Sequence, residues 1–203
     1  MKLFFTFLTA CFFNSIIAQS NFDVNAVLEF QKELNRHYAD STESPLTKED
    51  LKTFKSLDFY TIDSTFRVVA KFVRTKKEKA FEMPTSTERK PLYVKYGELH
   101  FELKGEKCIL NVYQNVAFSK IKKYKKDLFL PFTDLTSGVE SYGGGKYLDL
   151  KIPKKKTLIV DFNLSYNPYC AYNYKFSCPI PPKENDLKVE VKAGVKARLK
   201  FGK

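Results

Sequence analysis

Two periodicities divide the chain. Near the start, Val24, Val27, Leu28, Leu34 and Tyr38 recur at helical spacing, opposite Glu29, Lys32, Glu33 and Arg36. That spacing predicts an amphipathic helix, with Asn21 or Asp23 as its cap. Ser44, Pro45 and Leu46 interrupt it. Thr47 then opens a second short helix running to about Phe54, with Glu49 and Asp50 in its first turn. From Tyr60 onward the period becomes two. Strand candidates are 66–73, 92–96, 99–103, 108–113, 127–132, 147–152, 157–163 and 187–193, with a final one at 195–201. Gly97, Gly105, Gly138, the run Gly143 to Gly145, and Gly194 punctuate them. Many short strands with turns between them predict a mainly β chain. The expected fold is an antiparallel sandwich or barrel with one or two N-terminal helices packed on it.

The longest uncharged apolar run lies at the N-terminus, after Met1 and Lys2, and ends in Ser15, Ile16, Ile17, Ala18. One basic residue, an apolar stretch and a small residue before polar sequence make up a secretory signal. The stretch is short for a membrane span. The expected division is a signal over 1–18, a helical extension over 19–57 and a β domain over 58–203. The mature chain then lies outside the cytoplasm, in the periplasm or secreted. A second reading takes Leu8, Thr9, Ala10 and Cys11 as a lipobox, with lipid carried on Cys11.

Export changes the meaning of the cysteines, because disulfides persist outside the cytoplasm. Cys170 and Cys178 enclose a short loop rich in Tyr and Asn, and read as a local bridge contributing about 2–3 kcal/mol. Cys108 shares a strand face with Leu110 and Val112 and reads as a buried, inert thiol. The only histidines are His37 and His100. Neither a zinc pattern nor a cysteine nucleophile with a histidine base is visible, and no Gly-x-Ser-x-Gly occurs, so no metal site is expected.

The chain of 203 residues is 43% hydrophobic and 15% aromatic, enough to build a core, and carries a formal charge of +12. Removing residues 1–18 takes away only Lys2, so the basic balance stays. Its basic residues cluster at 120–126 and 154–156. In an exported protein these read as solvated loop tips, with loose attraction to an anionic surface as a second reading and no nucleic acid as partner.

The candidate chemistry comes from two segments. Leu148, Leu150 and Ile152 share one face of 147–152, and Leu158, Val160 and Phe162 share one face of 157–163. The short link Pro153, Lys154, Lys155, Lys156 predicts a hairpin. Apolar parity then puts Tyr147, Asp149 and Lys151 on the face of Ile159, Asp161 and Asn163. One register sets Asp149 opposite Asp161. Opposed carboxylates need compensation. The options are lysine pairing from Lys146 or Lys151, a cation such as calcium with Asn163 as a further ligand, one protonated carboxyl, or a register shifted by two.

Three stretches carry a resemblance. They are Leu130-Pro131-Phe132-Thr133-Asp134-Leu135-Thr136-Ser137-Gly138, Ser141-Tyr142-Gly143-Gly144-Gly145-Lys146-Tyr147-Leu148-Asp149-Leu150, and Asp161-Phe162-Asn163 on through Tyr166-Asn167-Pro168-Tyr169-Cys170-Ala171-Tyr172-Asn173 to Cys178-Pro179-Ile180-Pro181-Pro182-Lys183-Glu184-Asn185. Together they closely resemble a bacterial and archaeal family known only as domain of unknown function number 1684, with a weaker match back to about Ser44. The resemblance implies no activity. The chain departs from it at Lys146, where Arg is more usual, and at Ala193-Gly194-Val195, where the family closes on Ala-Gly-Glu.

The expected function is a non-catalytic binding or interaction module for a polar small molecule, a saccharide or a cell-envelope component, with no cofactor. The alternative is a hydrolase using Asp149 and Asp161, with Glu184 as a third candidate. Ligand-binding candidates are Tyr142, Gly143, Gly144, Gly145, Tyr147, Asn163, Asn167, Tyr172 and Asn185. Glycines permit close approach, aromatics stack, and amides and acids supply directional hydrogen bonds. The bland version of the glycine run is a turn needing positive φ.

Overall fold

The computed structural model describes residues 22–197. The expected signal and most of the expected last strand lie outside the described residues. The chain folds as one curled antiparallel sheet, a half-barrel, with few helices. Its strands are β1 (Arg67–Arg74), β2 (Phe81–Glu82), β3 (Leu92–Leu103), β4 (Glu106–Asn115), β5 (Asp127–Phe132), β6 (Lys146–Lys151) and β7 (Thr157–Asp161). They lie in the order β6-β5-β4-β3-β1-β7, with β2 paired to β3.

The expected strands 92–96 and 99–103 are one strand. Its register shifts between Lys95 and Gly97. A Cβ at Gly97 would sit 2.7 Å from the Phe72 ring and 2.8 Å from the Val73 carbonyl oxygen, so glycine lets the bulge form against β1. Lys104 and Gly105 both have positive φ and make the two-residue turn into β4.

The sheet's inner face carries the alternating apolar residues. Ala70, Leu99, Leu110, Val112, Leu128, Leu130, Leu148 and Val160 are all buried in one cluster. The segment expected as strand 187–193 contributes Leu187, Val189, Val191 and Ala193 to this cluster but joins no ladder. Scattered bonds hold it extended: Leu187 N–H donates to Thr133 O (2.8 Å), and Leu135 N–H donates to Val189 O (3.2 Å). Period two here reports alternate burial without strand pairing.

The expected hairpin between 147–152 and 157–163 does not form. β6 pairs with β5, in the register Phe129↔Asp149. β7 pairs with β1, in the register Arg67↔Asp161. The two strands are the opposite edges of the path, joined by the short connection 152–156. Apolar parity holds in both topologies, because each strand turns its apolar set toward the same core. Parity therefore fixed which side faces inward and left the neighbour open.

Helix α1 (Val24–Ala39) is capped by Asp23, whose carboxylate accepts from Asn25 N–H and Ala26 N–H. Helix α2 (Lys48–Thr53) is capped by Thr47. Tyr38, Leu46, Leu57, Tyr172 and Val195 form a second cluster that binds these helices to the 166–172 segment. Val24 and Leu28, expected on the packed face of α1, are exposed instead. No helix among the described residues is long and apolar enough to cross a membrane.

Candidate functional site

The outer face of β6, β5, β4 and β3 carries a layer of rings. Tyr93, Tyr113 and Met83 are buried there, with Phe81 and Phe129 packed against them. Phe129 meets Tyr147 edge-on with centroids 4.7 Å apart, and Tyr147 meets Tyr166 at 6.0 Å. The segment 166–180 lies across this layer. It is pinned by Tyr147 N–H donating to Tyr166 O (2.8 Å), by the Tyr147 hydroxyl donating to Pro179 O, and by Ile180 N–H donating to Pro84 O (2.8 Å).

Asp149 stands at the border of this layer. Cross-strand from it is Phe129, and Tyr147 precedes it on the same face. The Tyr166 hydroxyl donates to Asp149 Oδ2 at 2.7 Å. Asp149 is exposed, yet the tightly packed surroundings disfavour its charge and push the carboxyl above its ordinary range. The Tyr166 hydrogen bond opposes this rise, Asp127 adds to it, and Lys151 draws it down. Lys151 is otherwise engaged, with Nζ 2.6 Å from Asp127 Oδ1. The result is an accessible carboxylate held by one tyrosine, with acceptor capacity left over.

A second group reaches this region from α1. His37 Nε2 lies 2.8 Å from the Tyr169 hydroxyl, and His37 Nδ1 lies 3.6 Å from Glu43. The charge of Asp149 raises the Tyr169 phenol further above its usual value, after burial has done most of the work.

The structure separates the other acid. Asp161 lies on the far edge strand, where Arg67 Nε is 3.8 Å from its carboxylate. Its Oδ1 caps the turn Phe162–Leu164, accepting from Asn163 N–H (3.0 Å) and Asn163 Nδ2 (2.8 Å). Asn163 is buried and spent: its Oδ1 accepts from Asp63 N–H and its Nδ2 also donates to Asp63 O. The expected Asp149/Asp161 pair is therefore absent, and a calcium site built on the pair goes with it. Among the described residues no group of three or more His, Cys, Asp or Glu is arranged to hold a metal ion. Glu184 is exposed in the turn Lys183–Asn185, where its charge reaches Tyr113.

Several expected ligand residues are structural. Asn185 is fully buried. Its Nδ2 donates to Asn111 O (2.8 Å) and Pro131 O (2.7 Å), and its Oδ1 accepts from Asn111 N–H (2.8 Å). It bridges β4 and β5, whose ladder has a single paired position, Tyr113↔Phe129. Asn167 is buried and donates to the Tyr172 hydroxyl and Lys196 O. Tyr172 packs on Tyr38 with centroids 4.9 Å apart. Gly145 has φ +85, and a Cβ there would lie 2.5 Å from Phe132 O, so its role is the close turn into β6. Gly143 and Gly144 are exposed in that turn, and Tyr142 extends to Cys170.

The expected Cys170–Cys178 bridge is not formed; both are free thiols, as is Cys108. Cys178 Sγ accepts from Cys170 N–H at 3.2 Å. Cys108 is buried, as expected, and burial pushes its thiol up.

Sequence reasoning missed a buried ion pair. Lys146 and Asp134 have no solvent-exposed side-chain surface, and Nζ lies 3.1 Å from Asp134 Oδ2. Nζ gives its hydrogen bond to Val191 O (2.7 Å), while Asp134 Oδ1 accepts from Thr136 N–H (2.8 Å) and Val191 N–H (3.1 Å). Lys146 has the same strand parity as Leu148 and Leu150, which was the available signal that it points inward.

A wide, open depression of 880 Å³ lies elsewhere, lined by Tyr60, Asp63, Lys104, Glu190 and Lys192 among others. Its charges are largely matched among themselves and their neighbours. Lys104 lies 3.9 Å from Asp63, and Lys192 contacts Glu140 (3.0 Å) and Glu190 (3.4 Å). The Asp149 site is the better candidate, since its acceptor is only partly matched.

No curated protein matches the chain. The chain is similar to an uncharacterised protein of Haloarcula marismortui with a solution NMR structure, at 31% identity and a TM-score of 0.68, over 87% of this chain and 95% of that one. A family model matches residues 52–196, a span that includes β1 to β7, Asp149 and both cysteines of the outer segment. The chain thus belongs to the family described as "Protein of unknown function (DUF1684)".

Proposed function

We propose that the chain is a non-catalytic binding module for a small hydroxyl-rich molecule, a saccharide in class, taken at Asp149. The observation that carries this reading is the accessible Asp149 carboxylate, oriented by Tyr166 at 2.7 Å beside an aromatic layer. A carboxylate with open lone pairs accepts from paired hydroxyls, and the part-exposed Phe129 ring, cross-strand from Asp149, offers apolar surface to the C–H face of a sugar. The hydrolase alternative needed Asp161 as partner. Asp161 serves Arg67 and Asn163 on the other edge, and Asp127 beside Asp149 is occupied by Lys151.

Residues 1–18 support an extracytoplasmic site of action, and the lysines at 120–126 and 154–156 are exposed and suit loose contact with an anionic envelope surface. The test is a thermal-shift screen of a saccharide panel against the parent protein, Asp149→Asn and Tyr166→Phe. At 100-fold excess over Kd a ligand adds about 2.7 kcal/mol of stability. At least one sugar should raise the parent's Tm, raise Tyr166→Phe less, and raise Asp149→Asn least of the three. A panel without effect on the parent, or an equal effect on all three proteins, contradicts the reading.

A further inference from the structure

We propose that Cys170 and Cys178 form a thiol–disulfide exchange site, in which Cys170 attacks a small-molecule disulfide and Cys178 resolves the product. This goes beyond ligand binding at Asp149 and does not rest on it. Cys170 lies in the turn Tyr169–Ala171, entered through Pro168, and is half-buried. Cys178 is buried, just before Pro179. Cys170 N–H donates to Cys178 Sγ at 3.2 Å, which sets the two cysteines side by side. The Tyr142 hydroxyl lies 3.8 Å from the Cys170 Sγ, and the Ser86 hydroxyl, which donates to Phe176 O, accepts from Cys178 N–H at 3.1 Å. A part-exposed sulfur beside a hydroxyl, with a second sulfur next to it, is the arrangement that exchange needs.

The electrostatics agree. Neighbouring Cys178, aided by the Tyr142 hydroxyl, lowers the Cys170 thiol to about 6 against burial, while Cys178 is raised and stays protonated. Cys108, buried and raised, is the internal contrast. A disulfide, whose leaving thiolate needs less help, fits better than a peroxide.

The steps balance. The Cys170 thiolate attacks one sulfur of R–S–S–R, the S–S bond breaks, and RS⁻ leaves with the electron pair, giving a Cys170 mixed disulfide. Cys178 loses its proton and attacks Cys170 Sγ, expelling a second RS⁻. The protein ends as a Cys170–Cys178 disulfide, oxidised by two electrons, and R–S–S–R is reduced to two thiols.

The test uses oxidised glutathione on the protein after reduction and removal of the reductant. The parent should gain one intramolecular bridge, mapped by peptide mass to Cys170 and Cys178. Cys178→Ser should stop at a glutathione adduct on Cys170, and Cys170→Ser should form neither. Alkylation with iodoacetamide gives a second readout. A lowered pKa also weakens the nucleophile, so the gain near neutral pH is only a few-fold; near pH 5.5 Cys170 should react roughly tenfold faster than an unperturbed thiol. Tyr142→Phe should reduce that advantage. Preferential glutathionylation of Cys108, or no adduct on Cys178→Ser, overturns the proposal. So does a bridge already present that dithiothreitol reduces only once the protein is unfolded, because the pair is then a fixed staple.

Discussion

The two edges of the sheet carry matching acids with different surroundings. On β6, Asp149 has one tyrosine for a partner and a surface left open to solvent. On β7, Asp161 holds Asn163 through two hydrogen bonds and faces Arg67. The sequence offers both as aspartates at outward positions of similar strands. Their neighbours make one a receptor for something outside the protein and the other a fastening for the chain's own turn. A carboxylate whose lone pairs are filled by the fold stabilises it, and one left unfilled is available for a ligand.

The largest expected effect sharpens this contrast at the start of β6. Lys146 and Asp134 are a buried pair fastening β6 to the 134–136 turn and the Val191 segment. Lys146→Ala leaves a buried carboxylate unpaired and should cost about 3–5 kcal/mol in urea unfolding. Lys146→Arg, which keeps a charge able to pair with Asp134, should keep much of that stability. Loss below about 1 kcal/mol for Lys146→Ala would show that water reaches Asp134, against the structure.

Next in size is Asp161. Asp161→Ala removes the cap of the 162–164 turn and should cost about 1–2 kcal/mol. The loss should appear in the unfolding midpoint without affecting sugar binding. An equal loss in Asp149→Ala would erase the distinction between the two edges.

The smallest effect is the most diagnostic in sign. Asp149 has its carboxyl raised in the folded state, so ionising it opposes folding. Its favourable contribution is complete below the ordinary carboxylate range and is lost as pH rises through the raised value. Asp149→Asn lacks that loss. It should match the parent in acid and be the more stable by no more than about 0.5 kcal/mol at neutral pH, as expected for a surface substitution. A clear destabilisation at neutral pH would make Asp149 structural.

Much of this was legible in the sequence, and the failures have particular causes. The two helix caps, Asp23 and Thr47, and the inward sets of β6 and β7 follow from local spacing. Strand neighbours do not, because parity is blind to partner: Asp149 opposite Phe129 and Asp149 opposite Asp161 satisfy the same alternation. Asn185 and Asn163 looked like ligand residues because buried amides and binding amides have the same composition; only their filled hydrogen bonds tell them apart. Tyr142 and Tyr147 were named as candidates, while Tyr166, which orients Asp149, was passed over within a quoted motif. Its bond to Asp149 links the β6 edge to the segment that crosses the outer face, a contact that no local periodicity encodes.

The most direct test is calorimetric titration of the strongest sugar from the panel into Asp149→Asn and Asp161→Asn. A hydrogen bond to a charged group contributes about 1.5–3 kcal/mol. Asp149→Asn should therefore weaken Kd by roughly tenfold to a hundredfold, and Asp161→Asn should leave it unchanged. Equal weakening in both variants, or a loss confined to Asp161→Asn, would contradict the account.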